Sequence, residues 1–176
     1  MFPNEIKNTT CKLGRGHLLS IANCARLMLG ELFNYEKCLY IDSDTIIQKD
    51  IYTLFKDIDT TNTVIYAYKS NDIKLSDIFV NSIHNSVNEL LQKKYILTDK
   101  CYYTGTFLVN CKLWKQNNIL DDFYNIINIH NSINSGLYKF FTMSIMNIVL
   151  YGQFKELNNY ISITHELIAT LTNICN

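Results

Sequence analysis

Residues 38–44 read Cys-Leu-Tyr-Ile-Asp-Ser-Asp, an apolar run that stops on two carboxylates, Asp42 and Asp44, spaced i, i+2. A short apolar run bounded by polar residues predicts a buried strand, and side chains two apart leave a strand on the same side. On that reading both carboxylates face one point. Ligands of open α/β sheets gather beyond the carboxyl ends of the strands. Two hard oxygen donors in that place suit Mg²⁺ or Mn²⁺ shared with a phosphate. The plainer reading of the same pair is a polar strand end that faces water.

The elements around this pair follow from periodicity. Ile21, Cys24, Ala25, Met28, Leu29 and Leu32 recur at three and four, which predicts a helix over 20–33 with Ser20 as N-cap and Arg26 among the apolar positions. A polar turn at 34–37 precedes the strand through Ile41. Ile51, Leu54 and Phe55 predict a short helix, and the β-branched stretch 63–68 a second strand. Residues 72–94 carry a helical pattern in two pieces. The stretch 102–110 predicts a third strand with Gly105 inside it, where a missing side chain permits close approach of a ligand or of other chain, or marks a bulge. Helices are expected over 119–129 and 137–150, a strand over 154–163 and a terminal helix over 165–176.

Composition narrows the class. The chain has 176 residues, 48% hydrophobic and 18% charged, with one proline, which predicts one globular domain over 1–176 rather than a disordered chain. A formal net charge of +0 and the lack of a basic stretch argue against nucleic acid as a partner. No apolar run approaches the ~18 residues of a membrane span, and the amino terminus lacks a signal-peptide pattern. The expectation is a cytoplasmic protein, at most peripheral to a membrane. The six cysteines form no CxxC pair and are expected to be reduced. His17, His84, His130 and His165 lack a zinc-ligand spacing.

Three blocks resemble the family 8 glycosyltransferases, the group that includes glycogenin and the bacterial lipopolysaccharide galactosyl- and glucosyltransferases. Ser20-Ile-Ala-Asn-Cys-Ala-Arg26-Leu is similar to the family's helix with an arginine followed by leucine. Lys37-Cys-Leu-Tyr-Ile-Asp42-Ser43-Asp44, with Asp50-Ile51 and Leu54-Phe55 after it, resembles the aspartate-x-aspartate strand and its following helix. Tyr102-Tyr-Thr-Gly105-Thr-Phe-Leu-Val-Asn110-Cys-Lys-Leu-Trp114-Lys is similar to a strand that ends in asparagine and enters a lysine-tryptophan helix. Together the blocks span about 15–163. The resemblance implies a GT-A fold, a Rossmann-like α/β nucleotide-sugar transferase domain, here incomplete. It implies retaining transfer of a hexose from a nucleotide sugar, UDP-glucose or UDP-galactose, to a glycan acceptor such as lipopolysaccharide. Asp42 and Asp44 would hold Mn²⁺ or Mg²⁺ against the donor diphosphate, with Arg26 and Ser43 beside the donor.

The chain also departs from the family's pattern. Tyr103 stands where members carry asparagine, and Thr142-Met143-Ser144 where they carry an aspartate-glutamine-aspartate group. Lys69 and Ser70 lie where an acidic sugar contact is common. The family's opening strand and its closing histidine-glycine and lysine-proline-tryptophan motif have no match. The second expectation is therefore a truncated remnant that binds metal or nucleotide without turnover. Two rivals for the aspartate pair fail on single residues. A haloacid-dehalogenase site would need threonine where Ile46 stands, and an EF-hand would need glycine where Ile47 stands.

Overall fold

The computed structural model describes residues 21–47, 50–80, 84–134 and 136–157. Four strands form one sheet: β1 (Lys37–Ile41), β2 (Ile65–Lys74), β3 (Lys100–Asn110) and β4 (Phe154–Glu156), in the order β1-β3-β2-β4. β3 lies antiparallel to both β1 and β2, and β4 joins β2 in parallel. The helices are α1 (Leu29–Leu32), α2 (Ile51–Asp57), α3 (Leu75–Ile78), α4 (His84–Leu91), α5 (Cys111–Gln116), α6 (Ile119–Ser132) and α7 (Phe141–Val149). The mixed α/β class anticipated from the sequence is the one found.

The core lies where α6 and α7 close on β3 and on the segment before α1. Ile65 and Ala67 of β2 are buried while Tyr66 and Tyr68, which alternate with them, are half-buried, the period of two expected of a strand with one covered face. Phe107, Val109, Trp114, Phe123, Ile126 and Ile145 fill the space above them. Asn147 of α7 ties helix to sheet: its Oδ1 accepts from the Tyr102 N–H at 2.6 Å and its Nδ2 donates to the Tyr102 carbonyl at 2.9 Å. The strand–helix junctions are also capped by side chains. Asp50 accepts from the Tyr52 N–H at the start of α2, and Asn110 from the Leu113 N–H at the start of α5.

Three expectations need adjustment. The helix over 20–33 is a 3₁₀ helix from Ile21 to Met28 before it becomes α1. Its threefold repeat puts Cys24 and Leu27, both fully buried, in one row and Asn23 and Arg26 in the next. β2 continues to Lys74 where a helix is expected from residue 72. Its register slips between Lys69 and Lys74 because the buried Ser70 Oγ accepts from the N–H groups of Asp72 and Ile73. β1 is half-buried and, among the described residues, ends the sheet rather than lying inside it. Ser20 as N-cap, the strand beyond Leu157 and the helix over 165–176 lie outside the described residues.

Candidate active site

The carboxyl end of β1 delivers Asp42 next to the middle of β3. Ile41 is registered with Thr106, and one step further the Asp42 N–H donates to the Gly105 carbonyl at 2.7 Å. A Cβ on Gly105 would lie 2.9 Å from Asp42 Oδ2, well inside normal contact. Glycine is therefore required there for the carboxylate to lie against the strand. Both uses foreseen for Gly105 are realised: Asp42 lies against it, and the pairing of β3 with β2 slips across it, from Phe107 opposite Ala67 to Tyr103 opposite Tyr68.

Asp42 is held from the opposite side by a cation and a phenol. Arg26 Nη2 donates to Asp42 Oδ1 at 2.8 Å, and the Tyr40 hydroxyl donates to the same oxygen at 2.7 Å. Arg26 also donates through Nη1 to the Thr104 carbonyl at 2.8 Å, and through Nε and Nη2 to the Asn23 carbonyl and side chain. Its guanidinium lies 4.9 Å from the centre of the Tyr40 ring, which stacks on its registered partner Phe107 of the neighbouring β3. Burial, the bond to Asp42 and the nearby Asp44 charge push the Tyr40 hydroxyl up to about 12, against the opposing pull of Arg26. It stays a proton donor to Asp42 at any physiological pH.

The two aspartates are not related by strand alternation. β1 stops at Ile41, and Ser43 and Asp44 form an exposed turn in which the Thr45 N–H reaches back to the Asp42 carbonyl at 3.1 Å. The i, i+2 rule applies instead to Tyr40 and Asp42, whose side chains meet. The structure thus brings Arg26 and Asp42 into contact and adds Tyr40, Asn23, Thr104 and Gly105 around them. Tyr40 stands two residues before Asp42 but inside the apolar run, where nothing sets it apart from a packing residue. Asn23 carried a signal in the three-residue step to Arg26, and Thr104 none beyond its place beside Gly105.

Among the described residues no cluster of three or more His, Cys, Asp or Glu side chains is present, so a cation here would rest on Asp42 and Asp44. Oδ1 of Asp42 is taken by Arg26 and Tyr40, and Oδ2 faces the space that a side chain at Gly105 would fill. Asp44 supplies a second, exposed carboxylate, and all-oxygen donors match Mg²⁺ or Mn²⁺. The positions matching the family's acidic group are used for packing. Thr142 and Ser144 are buried, and Ser144 Oγ accepts from the Phe140 N–H at 3.0 Å at the start of α7. Ser70 is spent on its own loop, while Lys69 lies 5.9 Å from the centre of the Tyr102 ring.

Comparisons with known proteins bear on the family and the fold. A Haemophilus influenzae protein named as a glycosyltransferase is 30% identical over 148 residues, covering 83% of this chain and 40% of the relative. An Arabidopsis thaliana protein named as a galacturonosyltransferase is 23% identical over 145 residues, covering 80% of this chain and 27% of the relative. The galactosyltransferase LgtC, solved with donor and acceptor sugar analogues, superposes with a TM-score of 0.53 at 20% identity, over 78% of this chain and 44% of LgtC. That likeness establishes a GT-A fold, of which this chain holds part. It spans less than half the length of these relatives. The sequence model of glycosyl transferase family 8 matches residues 2–169, and the chain belongs to that family.

Proposed function

We propose that this chain binds a nucleoside diphosphate sugar, UDP-glucose or UDP-galactose, through a divalent cation held by Asp42 and Asp44. The hexose would pass with retention to a glycan acceptor such as lipopolysaccharide. The observation that carries the reading is the Asp42 carboxylate at the end of β1, fixed through one oxygen and seated against a strand position without a side chain. When bound there, Mn²⁺ or Mg²⁺ supplies Lewis acidity that neutralises charge growing on the departing nucleoside diphosphate.

The chain's own residues have separable roles in this scheme. Arg26 and Tyr40 orient Asp42 by holding Oδ1, which leaves Oδ2 directed at the cation. Arg26 already makes four bonds within the protein, so its action on the donor runs mainly through Asp42, with one Nη1 N–H left for a phosphate or sugar oxygen. Ser43, exposed between the aspartates, offers a hydroxyl and a backbone N–H to the diphosphate. Glycan acceptors are polar, and the electroneutral composition suits them better than a nucleic acid. Among the described residues no helix is long and apolar enough to cross a membrane.

A second reading, binding without transfer, is favoured by one observation. The side chains that replace the family's acidic group, Thr142 and Ser144, are buried in the first turn of α7 rather than presented to a sugar. Calorimetric titration of UDP with and without Mn²⁺, repeated on Asp44→Asn, tests the shared part. Binding that requires both the metal and Asp44 is expected. A folded sample that binds UDP equally well without either overturns the site. Mn²⁺-dependent hydrolysis of UDP-glucose or UDP-galactose then separates transfer from binding alone.

A further inference from the structure

Away from the carboxylate pair, the thiols of Cys38 on β1 and Cys111 at the start of α5 lie 3.4 Å apart, with Cys111 donating to Cys38. We propose that they form an oxidation-responsive dithiol, which a peroxide converts into an intramolecular disulfide. The backbone already joins the two segments: Lys37 is registered with Asn110, and the Cys111 N–H donates to the Glu36 carbonyl at 3.0 Å. The sulfurs must close to about 2.05 Å to bond. β1 ends the sheet and is bonded to β3 alone among the described strands, so it can yield more easily than a strand held on both sides.

Access assigns the two thiols different parts. Cys38 is half-buried and lines an open groove of about 880 Å³ beside Leu39, Ile41 and Phe55, through which a small neutral oxidant can reach it. Cys111 is 1% exposed, and burial and the contact with Cys38 hold its thiol up at about 12. Cys38 Sγ attacks one peroxide oxygen and the O–O bond breaks, leaving a sulfenic acid as the thiol proton departs with the hydroxide in one water. Cys111 Sγ then attacks Cys38 Sγ. The S–O bond breaks, and the Cys111 proton leaves with that hydroxide as a second water. Two thiols and one peroxide thus give one disulfide and two waters. Cys24 and Cys101, fully buried, have no thiol within hydrogen-bonding reach among the described residues. None of this depends on the nucleotide-sugar reading.

The test treats the full chain with a several-fold excess of hydrogen peroxide, alkylates the remaining thiols in denaturant and maps unreduced peptides by mass spectrometry. The expected product is a peptide joining Cys38 to Cys111, with a loss of about 2 Da for the two hydrogens, reversed by dithiothreitol. In Cys111→Ser, Cys38 should instead proceed to the sulfinic acid. The proposal is overturned if wild-type Cys38 reaches the sulfinic acid while Cys111 is still alkylated. A bond from Cys38 to Cys11, to Cys175 or to a second chain overturns it equally. Should Cys111→Ser fail to fold, the wild-type map decides alone.

Discussion

Asp42 has its two oxygens in different surroundings, and the difference is what can be tested. Oδ1 is fixed by Arg26 and Tyr40, while Oδ2 has room because Gly105 lacks a side chain. Gly105→Ala places a methyl group 2.9 Å from Oδ2 without touching the two bonds at Oδ1. Displacement of an orienting contact at a metal ligand typically costs about tenfold or more in metal affinity. Mn²⁺-dependent UDP binding should fall by about that factor in Gly105→Ala, with an unchanged far-ultraviolet circular dichroism spectrum. Unaltered affinity would show that Oδ2 is not the oxygen in use. The acidic pair and Arg26 were legible in the sequence because charge at the end of an apolar run is conspicuous. Tyr40 was not, since a tyrosine inside such a run has the same appearance whether it packs or donates a hydrogen bond. Gly105 was legible as an opening, but which group enters it depends on the register of β1 with β3.

Among elements, the order of helix and strand was readable from periodicity, whereas their ends and their tightness of winding were not. The stretch 20–33 has apolar residues at both three and four, so it satisfies an α-helix and a 3₁₀ helix alike. Packing settles the matter, because Asn23 must share a row with Arg26 to hold the guanidinium that reaches Asp42 and Thr104. The extension of β2 to Lys74 depended on the Ser70 hydroxyl, a local bond that no hydrophobic pattern reports. Gly30 in α1 shows how tertiary contact reverses a local rule. Alanine is ordinarily better than glycine in a helix by about 1 kcal/mol. Here a Cβ would lie 2.3 Å from Trp114 Cγ, and the indole, fully buried and 5.4 Å from the Phe123 ring, has little room to retreat. Overpacking of this kind costs about 1–3 kcal/mol. Gly30→Ala should therefore lower the urea midpoint with an unchanged m-value, and a midpoint at or above wild type would show that Trp114 moves freely.

At the scale of the whole molecule, the outer edge of β1 is the feature most at odds with its sequence. Cys38, Leu39, Tyr40 and Ile41 are apolar on both faces, as in a strand covered on both sides, yet each is half-buried and, among the described residues, β1 ends the sheet. Leu39 and Ile41 line the groove of about 880 Å³ together with Leu29, Phe33, Ile51 and Phe55. Exposed apolar residues flank it in the chain: Leu32, Phe33 and Tyr35 before β1, and Ile46, Ile47 and Tyr52 after it. An edge strand with unpaired N–H and C=O groups beside apolar surface is a template for pairing with another copy. The described residues should accordingly self-associate as concentration rises, through antiparallel contact of one β1 with another. A lysine on an edge strand blocks such pairing by burying an unmatched charge. Sedimentation velocity across the micromolar range should show a concentration-dependent shift to larger species in the wild type, reduced in Leu39→Lys. The lysine replaces a half-buried side chain, so the comparison is made at a temperature where circular dichroism shows both proteins folded. A wild-type protein that sediments as a monomer throughout would mean that this edge is already satisfied within a single chain.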